Sequence, residues 1–194
     1  IIGVPALTKS YGNYKDKAFE FKFLLKKEDE VFPSIALGIM DPFGTRLYPS
    51  QYIVLSKNLY PFDLTIGMGN GRFGKRPLVE TGEGFKVEML TDPVEWLKDS
   101  QIFWGVEFSP TGKWSLVLEY SPIKYHKQVK DPAQRKYFKK KVPSNYNIGF
   151  KFKPFRWSEF DISWQRGEEL SFGFSVNFGL RKPFIPVYDT PYYE

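Results

Sequence analysis

Residues 170–180 read Leu-Ser-Phe-Gly-Phe-Ser-Val-Asn-Phe-Gly-Leu, an unbroken alternation in which every odd member is large and apolar and every even one is Ser, Gly or Asn. Successive side chains of a strand point to opposite faces. The segment therefore needs apolar surroundings on one side and a crowded or wet space on the other. About 9–11 residues of tilted strand cross a bilayer, and this run is long enough to do so. The pattern predicts a transmembrane β-barrel strand.

The same grammar recurs along the chain. Residues 18–27 set Phe19, Phe21 and Phe23 against Glu20 and Lys22, and Ile35, Leu37 and Ile39 alternate with Ala36, Gly38 and Met40 ahead of the turn-rich Asp41-Pro42-Phe43-Gly44. Residues 51–57 are rich in β-branched and aromatic types without deciding which face is outward. Phe62, Leu64, Ile66 and Met68 alternate strictly with Asp63, Thr65, Gly67 and Gly69 and end in Asn70-Gly71. Ile102, Trp104, Val106 and Phe108 alternate with Phe103, Gly105 and Glu107, and Pro110-Thr111-Gly112 supplies the turn into the next strand. Trp114, Leu116, Leu118 and Tyr120 then alternate with Ser115, Val117 and Glu119. Tyr146, Ile148, Phe150 and Phe152 alternate with Asn147, Gly149, Lys151 and Lys153; Phe160, Ile162 and Trp164 alternate with Asp161, Ser163 and Gln165. Nine strands are legible in this way. Closed bacterial barrels favour even numbers, so the expectation is eight or ten.

Composition admits this reading. Mean hydropathy is −0.39, and no stretch approaches the roughly 20 apolar residues of a transmembrane helix. Barrel strands dilute their apolar residues by half, so neither fact excludes a membrane. At 194 residues the chain is one domain over 1–194, with an N-terminal segment at 1–17 and a C-terminal tail at 181–194. Cysteine is absent, which removes disulfides, thiolate metal sites and a cysteine nucleophile. The chain opens Ile1-Ile2-Gly3 rather than with Met and an apolar signal segment, which points to a processed or trimmed product. Export has to be inferred from the fold.

Two stretches break the alternation. Asp92-Pro93-Val94-Glu95-Trp96-Leu97-Lys98 puts an N-cap residue before Pro at the first helical position, predicting a short helix within a long loop. Residues 124–141 are densely basic, with Lys130, a second Asp-Pro start at Asp131-Pro132, and Arg135, Lys136, Lys139, Lys140 and Lys141. Long barrel connections normally lie on the outer side, so both loops are expected on the cell exterior.

The residues punctuating the strands carry a family resemblance. Asp41-Pro42-Phe43-Gly44-Thr45, then Gln51-Tyr52-Ile53-Val54-Leu55-Ser56-Lys57, then Asp63-Leu64-Thr65-Ile66-Gly67-Met68-Gly69-Asn70-Gly71-Arg72-Phe73-Gly74 resemble the signature block of the YjbH family. Glu119-Tyr120, Asn147-Ile148-Gly149-Phe150 and Gln165-Arg166-Gly167 fall in the order that family shows. The resemblance spans residues 35–180. It implies an outer-membrane β-barrel of a Gram-negative bacterium, commonly a lipoprotein, associated with exopolysaccharide production and export, here in a short single-barrel form. Two departures stand out: better-known members are several times longer, and their acylated cysteine has no counterpart here.

Little in the chain suggests catalysis. The one histidine, His126, lies between Tyr125 and Lys127 and would need a carboxylate and a serine in reach. Glu119 and Ser121 are near in sequence, but spacing alone does not converge them, and a solvated loop histidine is the plainer reading. Gly67-Met68-Gly69-Asn70-Gly71 lacks the strand-to-helix context of a phosphate loop, and glycines in a barrel more simply relieve crowding inside. No cluster of metal-ligating residues is present, and no cofactor is expected.

The nominal inner face carries Glu20, Lys22, Asp63, Glu107, Glu119, Lys151 and Asp161, with Ser171, Gly173, Ser175, Asn177 and Gly179 on the last strand. An eight-stranded interior is only wide enough for side chains, so these groups predict a plugged lumen held by internal ion pairs. The alternative is a narrow polar path or saccharide groove, which needs ten or more strands or a partner. Net charge +6 and a pI near 9.3 invite nucleic acid. The aromatics, however, keep strand period on one face, and the lysine-rich tract sits in a loop. Lipopolysaccharide phosphates or an acidic exopolysaccharide are the more natural anionic partners of Lys130, Arg135, Lys136, Lys139, Lys140 and Lys141. A loop without a ligand accounts for them equally. Outer-membrane lipid is the bulk partner, with another envelope protein as a further candidate. Tyr48, Tyr60, Trp114, Tyr120, Tyr146 and Trp157 fit interfacial girdles.

The main rival is a soluble lipocalin-like barrel carrying an apolar ligand, in which the large apolar residues point inward. The alternation is identical under that inversion. Glycine and serine dominate the polar faces, where a soluble exterior would favour Lys and Glu, although residues 18–27 and 146–153 are charged enough to face solvent. The expectation is an all-β, closed, antiparallel up-and-down transmembrane barrel in the outer membrane, without enzymatic activity.

Overall fold

The computed structural model describes residues 18–43, 46, 48–76, 85–124 and 141–177. Nine strands form one sheet in sequence order, each antiparallel to its neighbour. They are β1 (Glu20–Lys26), β2 (Ser34–Met40), β3 (Ser50–Leu59), β4 (Phe62–Gly69), β5 (Gln101–Thr111), β6 (Trp114–Tyr120), β7 (Tyr146–Phe155), β8 (Ser158–Gln165) and β9 (Glu169–Val176). Each coincides with one of the alternating segments. The last is shorter than its pattern, ending at Val176, and residues 178–180 lie outside the described residues.

Among the described residues the strands number nine, where an even number is expected, and the sheet they form is open. β1 pairs only with β2, and β9 only with β8, so the two edges carry no partner among the described residues. The described strands form an up-and-down antiparallel meander, a topology that can close into a barrel, with β1 and β9 not joined to each other.

The connections divide sharply between the two ends of the sheet. At one, the hairpin end, β3–β4, β5–β6 and β7–β8 turn at Tyr60-Pro61, residues 112–113 and residues 156–157, alongside the β1–β2 connection at 27–33. At the other, the loop end, residues 41–49, 70–100, 121–145 and 166–168 make the connections. Both long segments expected as exterior loops therefore emerge from the same end.

Asp29 organises the 27–33 connection: its carboxylate accepts from the backbone N–H of Phe32 at 2.7 Å and of Val31 at 3.0 Å. The expected helix is present as α2 (Pro93–Asp99), preceded by the single turn α1 (Glu88–Thr91). Asp92 caps α2 by accepting from the Glu95 N–H at 3.1 Å, satisfying one of the orphan donors of a first turn. Trp96 is buried and its indole N–H donates to the Gln51 carbonyl at 3.2 Å, tying α2 to the start of β3. Asn70 bridges the same region, accepting from the Gln51 N–H at 3.0 Å and donating to Glu88 at 2.6 Å. The helices therefore fold over the loop end of β3 and β4.

Candidate functional site

The sheet resolves which face is which. On its outward side lie Leu64 and Ile66 of β4, Leu116 and Leu118 of β6, Ile148, Phe150 and Phe152 of β7, Phe160, Ile162 and Trp164 of β8, and Leu170, Phe172 and Phe174 of β9; all are exposed, Phe172 to 71%. On the inward side Ala36 is 6% exposed and Ser115 4%. Small and polar residues are thus covered while large apolar ones face outward, the inverse of a soluble core and of a lipocalin. An exposed apolar surface of this continuity marks an interaction with a membrane or another protein.

Aromatic rings bracket the outward belt. Toward the loop end Trp104, Tyr120 and Tyr146 stand in register, with centroids 6.2 Å apart for Trp104–Tyr120 and 5.4 Å for Tyr120–Tyr146. Toward the hairpin end Phe62 meets Phe108 at 5.1 Å, Phe108 meets Trp114 at 5.9 Å, and Phe160 meets Phe174 at 4.7 Å. Between them Leu64, Val106, Leu118 and Ile148 stand in one row across β4 to β7. Of the six Tyr and Trp positions expected at interfaces, Trp114, Tyr120 and Tyr146 belong to these rows, and Tyr60 projects from a hairpin turn, 76% exposed.

The inward face holds a feature that the sequence did not suggest. Tyr52 of β3, Phe103 of β5 and Phe73 of the 70–100 connection pack together, with centroids 5.9 Å (Tyr52–Phe73), 6.0 Å (Tyr52–Phe103) and 4.8 Å (Phe73–Phe103) apart. Glycines make room for them. A Cβ on Gly38 would lie 2.0 Å from the Tyr52 ring, one on Gly67 2.3 Å from the Phe103 ring, and one on Gly69 2.8 Å from the Tyr52 Cβ. These rings border a cavity of ≈ 530 Å³ shared with Lys22, Asp63 and Glu119. The available signal was Phe103, an aromatic in the small-and-polar phase of its strand, together with Gly38 and Gly69, each opposite Tyr52.

All seven expected lumen residues lie in strands on this face: Glu20 and Lys22 in β1, Asp63 in β4, Glu107 in β5, Glu119 in β6, Lys151 in β7 and Asp161 in β8. The structure brings only some of them together. Lys151 pairs with Glu107 at 3.0 Å across β6, above the buried Ser115. Glu119 accepts from the Asn147 amide at 3.5 Å. Asp161 lies over Gly173, where a Cβ would meet its carboxylate at 2.2 Å. A second pair, Lys153–Glu159 at 2.8 Å, involves neither of the expected partners. At the loop end Arg166 donates to the Ser121 carbonyl at 2.7 Å and hydroxyl at 2.8 Å, fixing the β8–β9 turn against the start of the 121–145 connection.

Arg76, in the 70–100 connection, bonds Asp99 at 3.1 Å and Glu95 at 2.7 Å, and the Asp99 carboxylate holds its guanidinium still more firmly protonated. Of the expected anion-binding residues, Lys141 is exposed, while Lys130, Arg135, Lys136, Lys139 and Lys140 lie outside the described residues, as does His126. No group of three or more metal-ligating side chains occurs among the described residues.

Residues 4–192 match the family model described as YjbH, exopolysaccharide biosynthesis protein YbjH. The chain is also 29% identical over 197 residues to an uncharacterized lipoprotein, YjbH, of Escherichia coli (strain K12), a match covering 93% of this chain and 27% of that protein. The chain thus spans about a quarter of the length of this curated relative. No solved structure matches it. With a family match that runs almost from end to end, over an antiparallel meander with an apolar belt outside and a polar face within, this chain belongs to the YjbH exopolysaccharide-biosynthesis family.

Proposed function

We propose that this chain forms the wall of a closed β-barrel in the outer membrane of a Gram-negative bacterium and serves, without catalysis, in the production, export or surface assembly of an exopolysaccharide. The carrying observation is the outward apolar belt bounded by aromatic rows, opposite a face of glycines, serines and ion-paired side chains. In water that arrangement would expose most of the large apolar side chains; against lipid it removes them from water at about 25 cal/mol per Å². Its dimensions suit a bilayer. Outward residues on β7 run from Tyr146 to Phe155, about 30 Å at roughly 3.3 Å per residue. A tilt of about 40° reduces this to roughly 23 Å, close to the ~25 Å apolar band of outer-membrane barrels.

Orientation follows from the connections. Barrels of this kind keep short turns on the periplasmic side and long loops outside, which puts the α1–α2 segment and the basic 121–145 connection at the cell surface. There the cationic residues from Lys130 to Lys141 would meet lipopolysaccharide phosphates or an acidic polysaccharide. The polysaccharide role is supported by the family's description, and an envelope location by the lipoprotein named in Escherichia coli.

Heat-modifiable gel migration tests the barrel. Protein from the outer-membrane fraction is expected to need detergent and to shift its migration on boiling. A monomer soluble without detergent would overturn the reading.

A further inference from the structure

We propose that the inward face carries a binding site for an uncharged oligosaccharide, running from the Tyr52–Phe73–Phe103 wall across β5, β6 and β7 to β8. This rests on the barrel and exopolysaccharide reading above and names the class of glycan the lumen takes. The cavity of ≈ 530 Å³ beside those rings meets a second, of ≈ 320 Å³, along Val117 and Glu119. Both fall within the ~300–1,000 Å³ of small-molecule sites, which combine apolar and aromatic walls with a few placed polar groups. From β3 to β8 the two together cross five strand intervals, about 24 Å at roughly 4.8 Å each, a length that takes several linked sugar rings.

Glycines on this face are of two kinds. Gly38, Gly67 and Gly69 are pressed by ring or backbone atoms, whereas a Cβ on Gly105 or on Gly149 would meet nothing closer than 3.7 Å. Packing does not require those two side chains to be missing. Yet Gly105 lines the larger cavity and Gly149 the smaller, on either side of β6, and their bare backbone keeps both floors open. Register then aligns Thr65, Gly105, Glu119, Asn147 and Gln165 in one row across β4 to β8. Hydroxyls and amides both donate and accept, and a carboxylate accepts strongly from O–H, which complements the hydroxyl rim of a sugar. The aromatic wall offers its C–H face an apolar surface. Charge sets the class of glycan. Lining the two cavities, Lys22 and Lys151 stand against four carboxylates, those of Asp63, Glu107, Glu119 and Asp161. A polyanionic chain would meet an excess of like charge in a confined space, and such repulsion is how a site rejects the wrong partner.

The test is saturation-transfer NMR on the full-length polypeptide in micelles of lauryldimethylamine oxide, a detergent with neither sugar nor aromatic protons. The protein's aromatic protons are irradiated with maltohexaose, cellohexaose or hexagalacturonate as the probe. The expected result is transfer to the C–H protons of a neutral probe, bound at least about tenfold more tightly than hexagalacturonate. Gly105→Leu and Gly149→Leu, each filling one floor, should weaken that binding at least about tenfold while keeping the heat shift. Gly112→Leu, in the β5–β6 turn with nothing within 4 Å of an added Cβ, should leave it unchanged. No transfer to either neutral probe, equal or tighter binding of hexagalacturonate, or floor variants that bind like the parent would overturn the proposal. With the heat shift retained, any of these outcomes leaves the barrel standing; loss of the heat shift from the parent protein would remove both.

Discussion

Leu118 and Val117 are consecutive residues of β6 that point to opposite faces, and replacing each in turn by arginine separates a lipid-facing belt from a water-facing one. Leu118 is 38% exposed on the outward side, opposite Val106 and Ile148, and lies between the Trp114 and Tyr120 rows. In an outer-membrane barrel an arginine near the midplane of the lipid face costs about 2–4 kcal/mol, which is roughly a 30- to 700-fold shift in the unfolding equilibrium. Val117 lies inward beside the cavity that Glu107 and Glu119 line. An arginine there meets carboxylates and water, so Val117→Arg is expected to cost no more than about 1 kcal/mol. Equilibrium urea unfolding in lipid vesicles, followed by tryptophan fluorescence, reads both. If the belt faced water instead, Leu118→Arg would stay within about 0.5 kcal/mol of the parent. A Leu118→Arg variant as stable as Val117→Arg would refute the assignment of faces.

Further outcomes follow from the inward face and the hairpin-end turn. Gly38→Val forces a Cβ to within 2.0 Å of the Tyr52 ring and is expected to destabilise by about 1–3 kcal/mol in the same unfolding assay; adding Tyr52→Ala should recover part of that loss, and no recovery would mean the clash is not the cause. The Lys151–Glu107 pair is about one-third exposed at 3.0 Å, so a double-mutant cycle with Lys151→Met and Glu107→Gln is expected to give a coupling of at most about 1 kcal/mol, falling in high salt. The hydrogen bond from the Phe32 N–H, with smaller help from Val31 and Lys26, holds the Asp29 carboxyl below its ordinary value. Because the folded value is the lower one, its contribution is present above the unfolded pKa of about 3.9 and is lost as pH falls through the folded value. The Val31 and Phe32 amide shifts should therefore titrate below about pH 3.9, and Asp29→Asn should abolish that titration.

Strand positions were legible because a two-residue period leaves its mark on sequence whatever the tertiary context. Trp114–Tyr120 was read to the residue, and α2 was marked by Asp92-Pro93 because capping chemistry is local. The direction of the faces was not legible: Leu116-Val117-Leu118 alternates identically whether Leu116 meets lipid or a core, and only neighbouring strands decide. The lumen was half legible. Sequence phase put Glu107 and Lys151 on one face, but which carboxylate a lysine reaches depends on register, and Lys153 pairs with Glu159 although both sit beside expected members. The Tyr52–Phe73–Phe103 cluster escaped because Phe73 comes from a connection, outside any strand period, and because the cavity it fills exists only when Gly38, Gly67 and Gly69 come into register with Tyr52 and Phe103.

The central claim is that the large apolar residues face lipid and the small polar ones face a lumen. A chain without cysteine allows single cysteines to be placed one at a time from Leu170 to Ser175 of β9, spin-labelled, and measured in lipid vesicles for collision with oxygen, which concentrates in the bilayer, and with a polar nickel complex, which does not. The account predicts a two-residue oscillation, with Leu170, Phe172 and Phe174 favouring oxygen and Ser171, Gly173 and Ser175 the nickel complex. A flat profile, or the opposite phase, would contradict it.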